Sequence, residues 1–415
     1  GAVAAVGWMM RRVGSRVAGG ALVAGLAMLA FAVDDSHVLP AGWIANRHAL
    51  LALVFCAVVT VLHIEWRRTG RVDYLAGAVT GLALGLGASE AVLGVTAYLG
   101  AWQLCCDRIR WSHRLAALAP YAAVVVAWRL LYNHFGFGIT GSGLYLDPVA
   151  APLEFSAALV VRWPLMLAAQ WFQVPVDAVL LLSPQGRGVL TVVCVAFFLP
   201  LLWLFTPLLQ RSAEARFWAL GMSLALVPLC AAFPMARNLF IAGIGGAALL
   251  ALQAREVGLL PDREVRQTDR LRRGLTVALL VLHLPLAAAA LTFQAATQAV
   301  FASFFTGGHR TVPDVPEIEE QSLIFVTGHE FPTAYTPICR WAEDRHAPER
   351  TALLSTFWSK NRVTREDART LVVEPEVGYL SVDGDRLERH PSARFAVGER
   401  VWMPDFDAVV RSVTD

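Results

Sequence analysis

Two adjacent carboxylates, Asp34 and Asp35, with His37 close behind, are the first candidates for chemistry in this chain. They stand in the segment Asp34-Asp35-Ser36-His37-Val38-Leu39-Pro40. Carboxylates beside an imidazole suit general-base work or the holding of a divalent cation. Neighbouring carboxylates repel, which raises the pKa of one of them. The same residues also read as a solvated, polar helix cap. Glu90, in Ala88-Ser89-Glu90, precedes an apolar run and suits either a functional carboxylate or the cap of a helix N-terminus. Asp147 lies in Tyr145-Leu146-Asp147-Pro148, where Asp-Pro is chiefly a turn signal. Arg129 and Arg237 stand at the ends of apolar runs. Charges at membrane depth are costly and mark function by default, although long arginines also snorkel to an interface. His63, Glu65 and His283 read as lone polar residues satisfied by structure.

A repeating alternation positions these residues. An apolar helix needs about 20 residues to cross a bilayer. Runs near that length are expected at 17–33, 44–65, 72–87, 89–105, 114–133, 187–208, 216–233, 239–254 and 274–299, about nine spans in all. Arginines gather in every second loop, at Arg11–Arg16, Arg67–Arg71, Arg108–Arg114, Arg211–Arg216 and Arg255–Arg273. Lys/Arg-rich loops stay in the cytoplasm, so these are expected inside. Asp34, Asp35, His37, Glu90, Asp147 and Arg237 then fall on the outer side, with Arg129 near the outer end of its helix. Residues 1–10 read as the end of an incoming helix, and the chain is expected to lack its natural N-terminus.

The loop 134–186 faces outside in this scheme. Gly136-Phe137-Gly138 and Gly141-Ser142-Gly143 mark turns. Residues 152–173, with Trp163, Trp171 and Phe172, read as one or two amphipathic helices lying in the interface. From about residue 306 charge rises and strand-like runs appear at 322–327, 351–355 and 370–373. The expected architecture is an α-helical polytopic membrane domain over 1–305, then a soluble, mostly-β or α+β domain over 306–415, outside the cell. That tail carries no triad or metal-ligand spacing and reads as a binding or interaction domain.

The composition is 56% hydrophobic and 16% charged, against about 25% charged for soluble domains. A net charge of +2 does not point to nucleic acid, because the basic residues sit in short loops where topology and anionic lipid heads explain them. None of the six cysteines has C-x-x-C spacing, so they read as small apolar fillers. One lysine, Lys360, against many arginines, with abundant Ala, Val and Gly, suggests a GC-rich bacterial gene and hence the bacterial inner membrane.

The run Phe31-Ala-Val-Asp34-Asp35-Ser-His37-Val-Leu-Pro-Ala-Gly-Trp43-Ile-Ala-Asn-Arg47, then His48-Ala-Leu-Leu51, Arg67-Arg68 and Ala88-Ser89-Glu90-Ala91, resembles GT-C membrane glycosyltransferases. The likeness is nearest to their transmembrane O-mannosyltransferase branch and covers roughly residues 8–105. Asn46 stands where the family often has Gly, Ser89 where it often has Lys, and Asp34-Asp35 where the branch more often has His-Pro. The resemblance implies transfer of a sugar from a polyprenyl-phosphate carrier to a glycan, lipid or protein acceptor on the outer face. It also implies an acidic residue, or a divalent cation, that activates the acceptor. The family's principal catalytic Asp is expected before residue 1. Asp34, Asp35 and His37 would then line the groove, and Arg237, Arg129 and Arg47 would hold the carrier phosphate, since arginine is a planar, always-charged phosphate partner. Arg47 suits equally a structural ion pair with Asp34 or Asp35. A transporter or flippase, and a non-catalytic carrier-binding scaffold, are the rival expectations.

Overall fold

The computed structural model describes residues 1–14, 20–139, 141–260, 269–355, 360–376, 378–379, 389–390 and 392–413. Arg16, the first residues of the expected span 17–33, and Arg263 and Arg266 of the last arginine loop lie outside the described residues. Contacts divide the chain into two compact units. One is Gly1–Gly138 with Leu146–Ala295; the other is Ile139–Tyr145 with Ala296–Asp415.

The first unit is helical. Its helices are α1 (Ala2–Gly14), α2 (Gly20–Ala32), α3 (Val38–Gly42), α4 (His48–Thr69), α5 (Val72–Ala88), α6 (Gly94–Cys105), α7 (Trp111–Ala116) and α8 (Ala119–His134). After the long loop come α9 (Pro152–Phe172), α10 (Pro184–Arg211), α11 (Ala213–Leu229), α12 (Phe240–Glu256), α13 (Arg270–Val281) and α14 (Ala287–Gly307). Among the described residues six helices are long and apolar enough to cross a membrane: Ile44–Thr69, Trp111–His134, Pro152–Phe172, Gln185–Arg211, Ala236–Glu256 and Arg270–Val300. A seventh arises if Gly20–Ala32 and Asp35–Gly42, bent by 54°, count as one span. These are the helices of a multi-pass membrane protein.

The expected nine spans are therefore not all found. The runs at 17–33, 72–87, 89–105 and 216–233 fold as described helices of only 13, 17, 12 and 17 residues. At about 1.5 Å per residue the shortest covers about 18 Å, well under a hydrocarbon core of about 30 Å. Between α5 and α6 the chain makes a short 3-10 turn, Glu90–Leu93. The segment read as interfacial is a single 21-residue helix, α9, that passes the length and apolarity test for a span.

α12 is the hub of this unit, and its first two turns are buried on every side. Small residues let backbones approach closely. A Cβ added to Gly245 would lie 2.6 Å from the Trp218 carbonyl oxygen of α11 and 2.7 Å from Met222 Cβ. Into the same gap comes Tyr98 of α6, whose hydroxyl donates to Ile241 O at 2.9 Å and accepts from Gly245 N at 3.1 Å. α8 and α10, by contrast, leave most of their apolar surface uncovered, as helices facing lipid do.

The five arginine loops meet at one end of the unit. Arg68 Nη1 donates to Arg12 O at 3.1 Å, and both arginines lie within 3.8 Å of Glu65. Arg67 Nε donates to Asp107 at 2.7 Å. Cys106 Sγ lies 3.6 Å from Ala213 O, and Arg211 pairs with Glu256 at 2.7 Å. His63 is satisfied as expected, with Tyr121 Oη at 3.0 Å and Gln103 Nε2 at 2.8 Å.

The second unit is α+β. β1 (Ser322–Phe325) pairs in parallel with β2 (Arg350–Leu353), with Ser322 opposite Arg350. β3 (Asn361–Arg365) and β4 (Leu371–Pro375) form a hairpin, and β5 (Arg400–Trp402) pairs antiparallel with β6 (Asp407–Val409). β3 lies outside the strand-like runs read in the sequence. Two short helices, α15 (Glu330–Ala334) and α16 (Thr336–Ala342), follow β1. Arg340 of α16 is fully buried and donates to the carbonyls of His309, Val312, Pro313 and His346, tying four loop positions to one side chain.

Candidate polar site at the end opposite the arginine loops

α2 stops at Ala32, and the chain turns through a 3-10 segment, Asp35–His37. Asp34 caps it, Oδ1 accepting from Ser36 N at 3.0 Å. The cap reading of Asp34 holds, and its carboxylate keeps a second oxygen to offer. Asp35 accepts from Gln294 Nε2 of α14 at 2.9 Å. His37 goes elsewhere: its ring packs 4.6 Å from Phe31 and edge-on at 4.8 Å to Phe240, and it is buried. The Asp34 carboxylate lies within electrostatic reach of both Asp35 and His37. Among the described residues no group of three or more His, Cys, Asp or Glu side chains is arranged to hold a metal.

Arg237 arrives from a second 3-10 turn, Ala236–Leu239, which links α11 to α12. This turn packs against the Asp35–His37 turn and against α9. Ala236 N donates to Asp177 Oδ2 at 3.2 Å, and the Asp177 carboxylate lies within electrostatic reach of Arg237. Among the described residues Arg237 makes no side-chain hydrogen bond. Arg47, exposed at the start of α4, forms no ion pair with Asp34 or Asp35, so the structural pairing expected for it is not present.

Arg129 and Asp147 are brought together, and to each other rather than to the Asp35 turn. They form an ion pair and hydrogen bond, with Arg129 also over the Tyr132 ring at 5.8 Å. Burial pushes the Asp147 carboxyl up, but the Arg129 guanidinium and the amide of Val149, at 2.9 Å, outweigh it and hold the group below the usual carboxylate range. This pair orders the chain entering α9 and engages the Arg129 guanidinium, expected to hold the carrier phosphate, with a carboxylate of the protein itself. Glu90 is exposed near Tyr132. Ser89, not Glu90, supplies the side-chain cap, its Oγ accepting from Ala91 N at 3.3 Å. Gly136 and Gly138 carry φ of +68° and +102°, as the turns read there require.

Two functional candidates were missed in the sequence. Gln170 of α9 and His283 share a recess with Asp34, Trp171, Gly246 and Leu250. His283 stands in a single turn of π-helix, Leu282–Leu286, that joins α13 to α14 and contains Pro285. Proline lacks the amide a regular helix needs, and such π-turns recur at functional sites. His283 Nε2 lies 3.2 Å from Trp171 O. A carbonyl only accepts, so His283 Nε2 is the donor in this contact. Only the Pro285 beside His283 hinted at this in the sequence.

Both flanks of α9 are tied to one short segment. Upstream, Leu146 N donates to Ala231 O at 2.8 Å; downstream, Asp177 holds Ala236. Arg162, midway along α9, donates to Cys230 O at 2.9 Å. The middle of α9 thus lies level with the end of α11. Comparison with known proteins found no matching family model, curated protein or solved structure.

Proposed function

We propose that the chain is a membrane glycosyltransferase of GT-C type. It takes a sugar from a polyprenyl-phosphate carrier and passes it to a glycan, lipid or protein acceptor outside the cell. The setting is the bacterial inner membrane, with the arginine loops in the cytoplasm and residues 306–415 extracytoplasmic. The observation that carries this reading is the packing of the Asp35–His37 turn against the Ala236–Leu239 turn, at the end away from the arginine loops. That packing brings carboxylates and the Arg237 guanidinium, which makes no side-chain hydrogen bond among the described residues, to one edge of an apolar bundle.

In this reading Arg237 binds the carrier phosphate by charge-assisted hydrogen bonds. Asp35 accepts the proton of the attacking hydroxyl, and Gln294 fixes its carboxylate in place. His37, enclosed by Phe31 and Phe240, shapes the wall and leaves the proton transfer to Asp35.

The test is native mass spectrometry of the chain in detergent with polyprenyl phosphate, wild type against Arg237→Ala. Selective binding that the variant loses supports the reading, and binding unaffected by the variant removes Arg237 from it. A second reading, a transporter, draws on the 54° break between Gly20–Ala32 and Asp35–Gly42, since transporters bind substrate at broken helices. Sugar transfer to a soluble acceptor separates the two, because a transporter makes no product.

A further inference from the structure

The loop that leads into α7 and α8 is fastened mainly through its backbone and leaves two cations uncommitted. Asp107 holds it from one side: Oδ1 accepts from Ile109 N at 3.0 Å and Oδ2 from Arg67 Nε at 2.7 Å. Arg114 holds it from the other, Nε donating to Ile109 O at 2.6 Å and Nη1 to Gln103 O at 3.1 Å. The Arg114 guanidinium also lies over the Trp111 ring, 4.5 Å from its centroid. Neither anchor uses the side chain of Arg108 or Arg110. Both are exposed, and among the described residues neither side chain makes a hydrogen bond or an ion pair. Their neighbour Asp107 is already paired with Arg67. Arg12, Arg67, Arg68, Arg71 and Arg211, by contrast, each reach a carboxylate of the protein.

Apolar side chains are interleaved with the two cations. Ile109, Trp111 and Leu115 are 45%, 58% and 67% exposed. Trp111 opens the stretch Trp111–His134 that is long and apolar enough to cross a membrane, so the loop stands where a hydrocarbon core ends. Tryptophan favours that boundary, and guanidinium groups just beyond it lie at the depth of lipid head groups. Arginine meets phosphate oxygens with a planar fork of donors. A soluble anion would use the cations alone. Cations alternating with exposed apolar side chains match a ligand that is anionic at one end and apolar at the other.

We propose that the Arg108–Trp111 loop is a binding site for an anionic phospholipid of the leaflet that the arginine loops face. Arg108 and Arg110 take the head group, and Ile109, Trp111 and Leu115 meet the start of its chains. The bound lipid secures the foot of α8, a helix whose apolar surface the protein leaves mostly bare. The proposal needs only a chain that spans a membrane and is independent of the carrier reading.

The experiment is native mass spectrometry of the full chain, stripped of lipid in detergent, with phosphatidylglycerol or phosphatidylcholine of the same acyl chains. The two lipids differ in net charge, so the ratio of their retention reads the head group. Wild type is expected to retain phosphatidylglycerol about tenfold or more over phosphatidylcholine, since each arginine at an anionic surface contributes roughly fivefold. Replacing both arginines, Arg108→Gln with Arg110→Gln, should bring the ratio near one. The lipid-free melting temperature should stay at the wild-type value, because neither side chain has a partner to lose. Excess glycerol phosphate should not compete. Equal retention of the two lipids by wild type overturns the proposal, and so does a preference that survives the double replacement. Arg11→Gln with Arg71→Gln removes the same charge from other loops. An equal loss there would make the preference a property of overall charge and overturn the site. Competition by glycerol phosphate would give the loop a soluble occupant and overturn the lipid.

Discussion

At the arginine-loop end of the helical unit, cations hold helices to one another; at the opposite end, two of them are left over. Arg67 and Asp107 are paired with side-chain exposures of 11% and 4%, and Arg12 and Arg211 reach acids on other helices. Arg237 and Arg47 have no such anchor among the described residues. An arginine placed at a boundary serves topology in the first case. In the second it is free to meet a ligand. Composition does not separate the two uses, because both ends carry arginines next to apolar helices.

The largest expected effect breaks the arginine end. Replacing Arg67 by Ala strands a buried carboxylate, which costs about 3–5 kcal/mol. Thermal unfolding should show the loss, while carrier affinity per folded molecule stays at the wild-type value. Reduced affinity in the folded fraction would mean the ends are coupled. At the other end Asp35→Asn keeps an acceptor for Gln294 but removes the base. Sugar transfer should fall by about 10²–10⁴ with the fold intact, and a rate near wild type would exclude Asp35 from proton transfer. Arg237→Ala should weaken carrier binding tenfold or more, about 1.4 kcal/mol, with a stability change under about 0.5 kcal/mol.

The smallest effect concerns the Arg129–Asp147 pair, which is partly exposed and worth about 1 kcal/mol or less. Because the Asp147 pKa is depressed in the folded chain, its contribution is fully present above the usual value of 3.8 and is lost as pH falls through the lower folded value. Hydrogen exchange at Val149 and Ala150 should therefore quicken in Arg129→Gln at neutral pH, and in wild type only in strong acid. Equal protection in variant and wild type would leave that segment held by something else.

The sequence read the arginine end well because loop charge is a one-dimensional signal. Five clusters recur in order, and their loops do meet in space. Helix count was read less well. Apolar runs at 72–87 and 89–105 look like spans, but α5 and α6 are short helices broken at Ser89, and hydropathy does not register where a helix breaks. The polar end was legible only in part. Asp34 and Asp35 stand out in a loop, whereas Gln170 and His283 are isolated polar residues in apolar helices. His283 meets Trp171 across 112 positions, a pairing that no local pattern records. The link between Arg129 and Asp147 was hidden for the same reason, although both residues had been singled out.

The glycine-lined face of α12 bears on how the protein is assembled. α12 belongs to a stretch less apolar than α4 or α10, and its glycines give up backbone entropy on becoming helical. Alone in lipid it is the least self-sufficient of the long helices, and its order comes from Tyr98, Trp218, Phe31 and Gln170 on its neighbours. Two of those neighbours, α6 and α11, are synthesised before it, as are α2 and α9. During biogenesis α12 should therefore lock into a nest already waiting for it, and the polar end is completed only later, once Gln294 of α14 has been made and can reach Asp35.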